Sequence, residues 1–136
     1  MNELDIWQTM YTGNIGNATY FLGIAFLLWV SFRMAINIRT NPESNLFIRL
    51  VGTAFCLSAS YFMLFNMAMS EWNINAAAAA FSWLASTDVA ISPNAQMVIA
   101  NTDPGAAPSI MPNLVQGIFV ASAVLMQMGQ IWMPKK

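Results

Sequence analysis

Arg39-Thr-Asn-Pro-Glu-Ser-Asn45 is a short polar break between two long apolar runs, and its reading decides the fold. Asn41-Pro42 ends a helix, because proline disfavours a helical residue before it and cannot extend the hydrogen-bond ladder. Arg33 and Arg49 flank the break, and the only other basic residues are Lys135 and Lys136 at the far end. So short a connection returns the next helix antiparallel beside the first.

Working back from the break, residues 17–38 hold no charge before Arg33. A helix of that length reaches about 33 Å at 1.5 Å per residue, enough for a hydrocarbon core of about 30 Å. Arg33 lies where its stem can snorkel to the head-group layer. Asn17 or Thr19 is the expected N-cap, since Gly13 and Gly16 are expected to break any helix in the lead-in. Working forward, residues 46–69 form a second span whose one charge is Arg49. A third span, 113–133, contains Gln116, Gln127 and Gln130 and stops at Pro134. Between the second and third spans lies an outer loop, 70–112, with Glu71, Asp88 and Asp103 as its only charges. Within it Asn75 is expected to cap a short helix, Ala76 to Ala85, too short to span and suited to the membrane interface. Pro93, Pro104, Pro108 and Pro112 leave room for at most one further short element at 96–100. The fold class expected is all-α, a single membrane domain of three spans with a short interfacial helix in the loop.

Composition agrees with this reading. Residues of the hydrophobic class make up 57% and charged residues 8%, against roughly 25% charged in a soluble domain. The net charge of −1 and the lack of a basic run leave no electrostatic footprint for nucleic acid. The chain has no His and one Cys, which removes the commonest metal ligand and proton shuttle and any internal disulfide. The acidic start, Met1-Asn-Glu-Leu-Asp, has the wrong sign for a cleavable signal, although Ala35 imitates a cleavage position. All five basic residues fall at the first turn or the C-terminus, which three spans place on one side. The positive-inside rule then puts the N-terminus and long loop outside and the turn and C-terminus inside. Trp7, Tyr11, Tyr20, Trp72 and Trp83 fall near the outer interface and Trp132 at the inner one. The expected location is a bacterial inner, plasma-type membrane.

Few residues invite chemistry. Gly52, Cys56 and Ser60 recur on one face of the second span, and Gly117 and Ala121 repeat the spacing in the third, so each face allows close helix contact within the chain or with another subunit. Gln127 lies deep in the third span and must find a partner, as must Asn66, because unmatched polar groups in lipid are costly. A transport path generally needs ionisable groups in the membrane, and only Arg33 and Arg49 lie in the spans, close to the inner surface. The 11 Met residues, among them Met63 and Met67, suit Cu(I) as a ligand type but equally fill gaps in packing. Cys56, mid-span, reads as a small packing residue. Arg33, Arg39 and Arg49, with Lys135 and Lys136, set topology and lie where anionic lipid head groups gather. Asn17-Ala-Thr19 matches a glycosylation sequon abutting the membrane. No phosphate-cradling glycine motif, nucleophile–base pair or cofactor ligand set appears.

These features point to a non-catalytic accessory subunit of a larger membrane complex, of oxidase, monooxygenase, respiratory or photosynthetic type. Its partners would be other membrane subunits and lipids, met through the small-residue faces, Gln127, and the loop residues Phe81, Trp83 and Leu84. The alternative is a homo-oligomeric pore-former: the three-span layout with the N-terminus outside resembles one class of phage holins. The long outer loop and the two-residue basic tail count against it.

Overall fold

The computed structural model describes residues 2–133. Four helices account for the order: α1 (Glu3–Thr40), α2 (Leu46–Ser86), α3 (Pro93–Ala100) and α4 (Leu114–Trp132), and no strand occurs among the described residues. Three of them, α1, α2 and α4, are long and apolar enough to cross a membrane. Pro134, Lys135 and Lys136, expected to stop and anchor the last span, lie outside the described residues.

Two expected breaks are absent. The glycines at 13 and 16 do not interrupt α1, which runs unbroken for 38 residues. Its real start is Asn2, whose side chain accepts from the Asp5 N–H at 3.0 Å while the Asp5 carboxylate accepts from the Asn2 N–H at 2.9 Å. This is a reciprocal cap, with Glu3 and Asp5 also favourably placed at the positive end of the helix dipole. Asn17 and Thr19 are therefore helix-interior residues, not caps; Thr19 simply donates back to the Ile15 carbonyl. Likewise the segment 76–85 is not a separate helix but the last part of the 41-residue α2. The run Ala76–Ala80 has the highest helix propensity available, so nothing local stops the helix there. It stops at Asp88, which takes the left-handed conformation (φ 60°) that short polar side chains tolerate at helix ends.

The polar break behaves as its sequence demands. Asn41 Oδ1 accepts from the Glu43 N–H and Asn45 Oδ1 from the Ile48 N–H, so one asparagine closes the turn and the other caps α2. In the long loop the short element begins at Pro93, ahead of the expected 96–100, because Ser92 caps it and proline is favoured in the first turn. Asn113 and Gln116 form a capping box at the start of α4. Gln116 thus belongs to the helix end rather than to a polar spot in the span.

The chain divides into two compact units. One comprises 1–19 and 66–110; all its side-chain charges are acidic, namely Glu3, Asp5, Glu71, Asp88 and Asp103. The other comprises, among the described residues, 20–65 and 111–133 and holds Arg33, Arg39 and Arg49, with Glu43 as its one side-chain carboxylate. They are called the acidic and basic units below.

Candidate functional site

In the basic unit the second half of α1, the first half of α2, and α4 pack around small and polar side chains. Along α1 the buried residues are Ile24, Leu28, Ser31, Ala35 and Ile38, a spacing of alternating four and three that keeps one seam inward. Along α2 they include Cys56, Ala59, Ser60 and Met63. Gly52 sits where a Cβ would collide with the end of Ile38 and come within 3.8 Å of Ile131, so glycine is what lets these helices close up. Ala35, Ile38, Cys56 and Ile131 form one cluster, with Met34 and Met128 against it.

A buried polar group lies within this packing. The Gln127 Nε2 donates to Ser31 Oγ at 2.6 Å, and Ser31 Oγ donates to the Leu28 carbonyl at 2.7 Å. The Cys56 thiol points at the Ser31 carbonyl at 3.8 Å, the long distance expected of sulfur. Gln127 and Ser31 are both fully buried. The Gln127 Oε1 and Ser60 Oγ are buried without a partner. Nearer the turn, Arg39 donates to Gln130 at 3.2 Å, and the Trp132 indole donates to Thr53 at 2.9 Å. Arg33 is exposed and Arg49 half-buried. Of the small residues singled out in α4, Gly117 is half-buried, where an added Cβ would meet Pro112 at 3.5 Å, and Ala121 is exposed. The buried face of α4 is instead Val120, Ala123, Gln127 and Ile131.

In the acidic unit three asparagines of α2 join the elements. Asn66 donates to the Asn17 carbonyl of α1 at 3.2 Å. Asn73 donates to the Met10 carbonyl at 2.9 Å and to Asn14 Oδ1 at 2.8 Å. A Cβ at Gly13 would strike the Asn73 side chain, so this glycine opens the helix surface rather than breaking the helix. Its helix penalty, about 1 kcal/mol relative to alanine, is offset by the bonds it admits. Asn75, instead of capping, holds the loop: its Oδ1 accepts from the Asp103 N–H and its carbonyl from the Gly105 N–H at 3.0 Å.

The core of this unit is Ile6, Met10, Ala77, Phe81, Leu84 and Ala95. Trp7 lies tilted against Phe81, ring centres 4.9 Å apart. Phe81 and Leu84 are thus covered by their own chain, which corrects their expected role in meeting a partner; of the three loop residues, Trp83 is exposed. Glu3 fastens α3. Its carboxylate accepts from the Ser92 hydroxyl, from the Trp7 indole at 3.0 Å and from the Ser92 N–H at 2.8 Å. Those donors, the Ser92 hydroxyl foremost, hold the Glu3 carboxyl below its usual range.

Sequence reasoning missed Ser31, Asn14, Asn73 and the Glu3–Ser92 contact. Gln127 signalled that a partner was needed, and Ser31 was a hydroxyl in the facing span. Nothing local marks Glu3 and Ser92 as neighbours. Among the described residues no three His, Cys, Asp or Glu side chains converge, and no ionisable side chain other than the Cys56 thiol is buried. No protein-family model matches the chain, and no curated protein or solved structure matches it.

Proposed function

We propose that this chain is an accessory, non-catalytic subunit of a larger membrane protein complex, of the oxidase, monooxygenase, respiratory or photosynthetic kind. The observation that carries the reading is the outer surface of the acidic unit. Trp72, Ile74, Trp83, Val89 and Met97 are exposed there, on a unit without one Lys or Arg. Exposed large apolar side chains of this sort mark interaction surfaces, and tryptophan is the residue most enriched at their energetic centres.

Helix length supports the same reading. At 1.5 Å per residue α1 and α2 are about 57 Å and about 60 Å long, roughly twice a hydrocarbon core of about 30 Å. Much of each helix therefore lies beyond the lipid tails, and the uncharged-to-acidic segments are the ones the positive-inside rule leaves outside. Arg33, Arg39 and Arg49 then belong to the inner surface, with α3 near the outer interface. In the apolar windows of the three long helices, 28%, 28% and 22% is buried within the chain, which leaves most of the surface for lipid or neighbouring subunits. The buried polar atoms are amides and hydroxyls, too few and of the wrong kind for ion or proton transport.

Purification from native membranes in mild detergent, followed by intact-complex mass measurement, tests the proposal. The expected result is this chain at fixed stoichiometry with larger integral subunits, the association weakened about tenfold or more by Trp83→Ala. A pure homo-oligomer that permeabilises vesicles would overturn it in favour of a pore-former. Orientation is tested in a Cys56→Ala background: an impermeant maleimide should label Ala90→Cys and spare Glu43→Cys in sealed cells.

A further inference from the structure

The turn between α1 and α2 borders an open depression of about 410 Å³. One side of it is apolar, made by Met34, Ile38 and Ile48, and the other polar, made by Asn37, Asn41 and Ser44 among others. The polar side is rich in donors that lack acceptors. The Asn37 amide makes no hydrogen bond within the described chain. Asn41 uses its Oδ1 to accept from the Glu43 N–H, which leaves its Nδ2 to donate. Ser44 Oγ has no partner, and a hydroxyl reorients by rotation between staggered wells.

Arg33 and Arg49 do not line the depression themselves but stand within one helical turn of residues that do. Arg33 precedes Asn37 by one helical turn, on the same face of α1. Arg49 follows Ile48 in the first turn of α2, where the helix dipole adds further positive potential. Neither guanidinium pairs with a carboxylate among the described residues, whereas Arg39 is engaged by Gln130. Glu43, the one carboxylate of the turn, is exposed and does not line the depression.

Amide and hydroxyl donors in the depression, with an arginine within a turn of Asn37 and another next to Ile48, suit an anion with several acceptor oxygens. We infer that the depression binds the phosphodiester of an anionic phospholipid, with its acyl chains along Met34, Ile38 and Ile48. The apolar wall and the neighbouring exposed Leu46, Phe47 and Leu50 favour a lipid over free phosphate, which has nothing to place against them. This inference rests on the membrane reading above, and on Arg33 and Arg49 as the cations that choose head-group charge.

The test uses the full chain purified in mild detergent. Native mass spectrometry follows titration with phosphatidylglycerol, with phosphatidylcholine of the same chains, and separately with inorganic phosphate. Phosphatidylglycerol should bind about tenfold more tightly than phosphatidylcholine, and a photoactivatable phosphatidylglycerol should label the α1–α2 turn. The Arg33→Gln/Arg49→Gln pair should abolish the preference. Asn37→Ala, a change at an exposed position, should weaken phosphatidylglycerol about threefold with phosphatidylcholine unchanged. Equal binding of the two lipids, or a preference that survives these variants, overturns the inference. Inorganic phosphate that binds alone with the same sensitivity to the variants overturns the lipid assignment. Release of the protein from native membranes by an alkaline wash would sink the membrane reading itself, a result distinct from loss of lipid preference in a chain that stays embedded.

Discussion

In the basic unit the helices meet through Gly52, Cys56 and Ala59, with one buried amide, Gln127, reaching Ser31. In the acidic unit the same two long helices are joined by asparagines that donate to backbone carbonyls, around an aromatic plug of Phe81 and Trp7. On the membrane reading proposed above, the difference is one of solvent. Where lipid tails surround a helix, burying apolar area gains little, so close backbone approach and van der Waals packing hold the bundle and small residues line it. Where water or a polar interface surrounds it, a large apolar side chain is worth burying, and side-chain amides can be afforded at the edges of the core.

That contrast is open to direct attack. Phe81→Ala should be the most damaging change, costing about 3–5 kcal/mol, with the loss confined to the acidic unit; hydrogen exchange resolved by peptide would show α3 and the end of α2 opening while α4 stays protected. Gln127→Glu should cost about 3 kcal/mol by placing a charge inside the spans, measured as a lower midpoint in SDS titration. A basic unit that tolerates this charge would mean its centre is wet. Asn73→Ala should cost about 1–2 kcal/mol, since two hydrogen bonds are lost and the amide's site against Gly13 is emptied, and exchange should rise around Met10 and Asn14.

The smallest effect is the pH dependence of the Glu3 clasp. Its folded-state carboxyl titrates below the ordinary 4.5, so the charged form is favoured by folding. The contribution is complete above the unfolded value and is lost as the pH falls through the lower, folded one. Trp7 fluorescence and exchange at the start of α3 should therefore change only once the pH falls below the ordinary carboxyl value, and the step should be missing in Glu3→Gln. An equal step in that variant would move the effect to another carboxylate.

The three long apolar helices were legible from the absence of charge alone, and the polar break from Asn41-Pro42 and its neighbours. Reading Gly13 and Gly16 as stops failed for a reason that local propensity does not contain. Glycine lowers helix stability, yet Gly13 faces Asn73, and the contact requires the missing side chain. Asn75 failed the same way: an asparagine before an alanine run looks like a cap, but its side chain is taken by Asp103 and its carbonyl by Gly105. Phe81 and Leu84 looked available because a loop was expected around them, and they became core once the helix continued and α3 folded over it.

What the sequence determined by itself is the division of charge and hydrophobicity: three runs apolar enough to span a membrane, with every basic residue near the first turn or the C-terminus and the long loop carrying only acidic charge. Those follow from transfer energies that each side chain carries wherever it is placed. Only the tertiary structure decided where the helices end and which polar groups meet, because Asn73 with Met10, Gln127 with Ser31, and Glu3 with Ser92 are contacts between residues far apart in the chain. Their energies exist only when both partners are brought together.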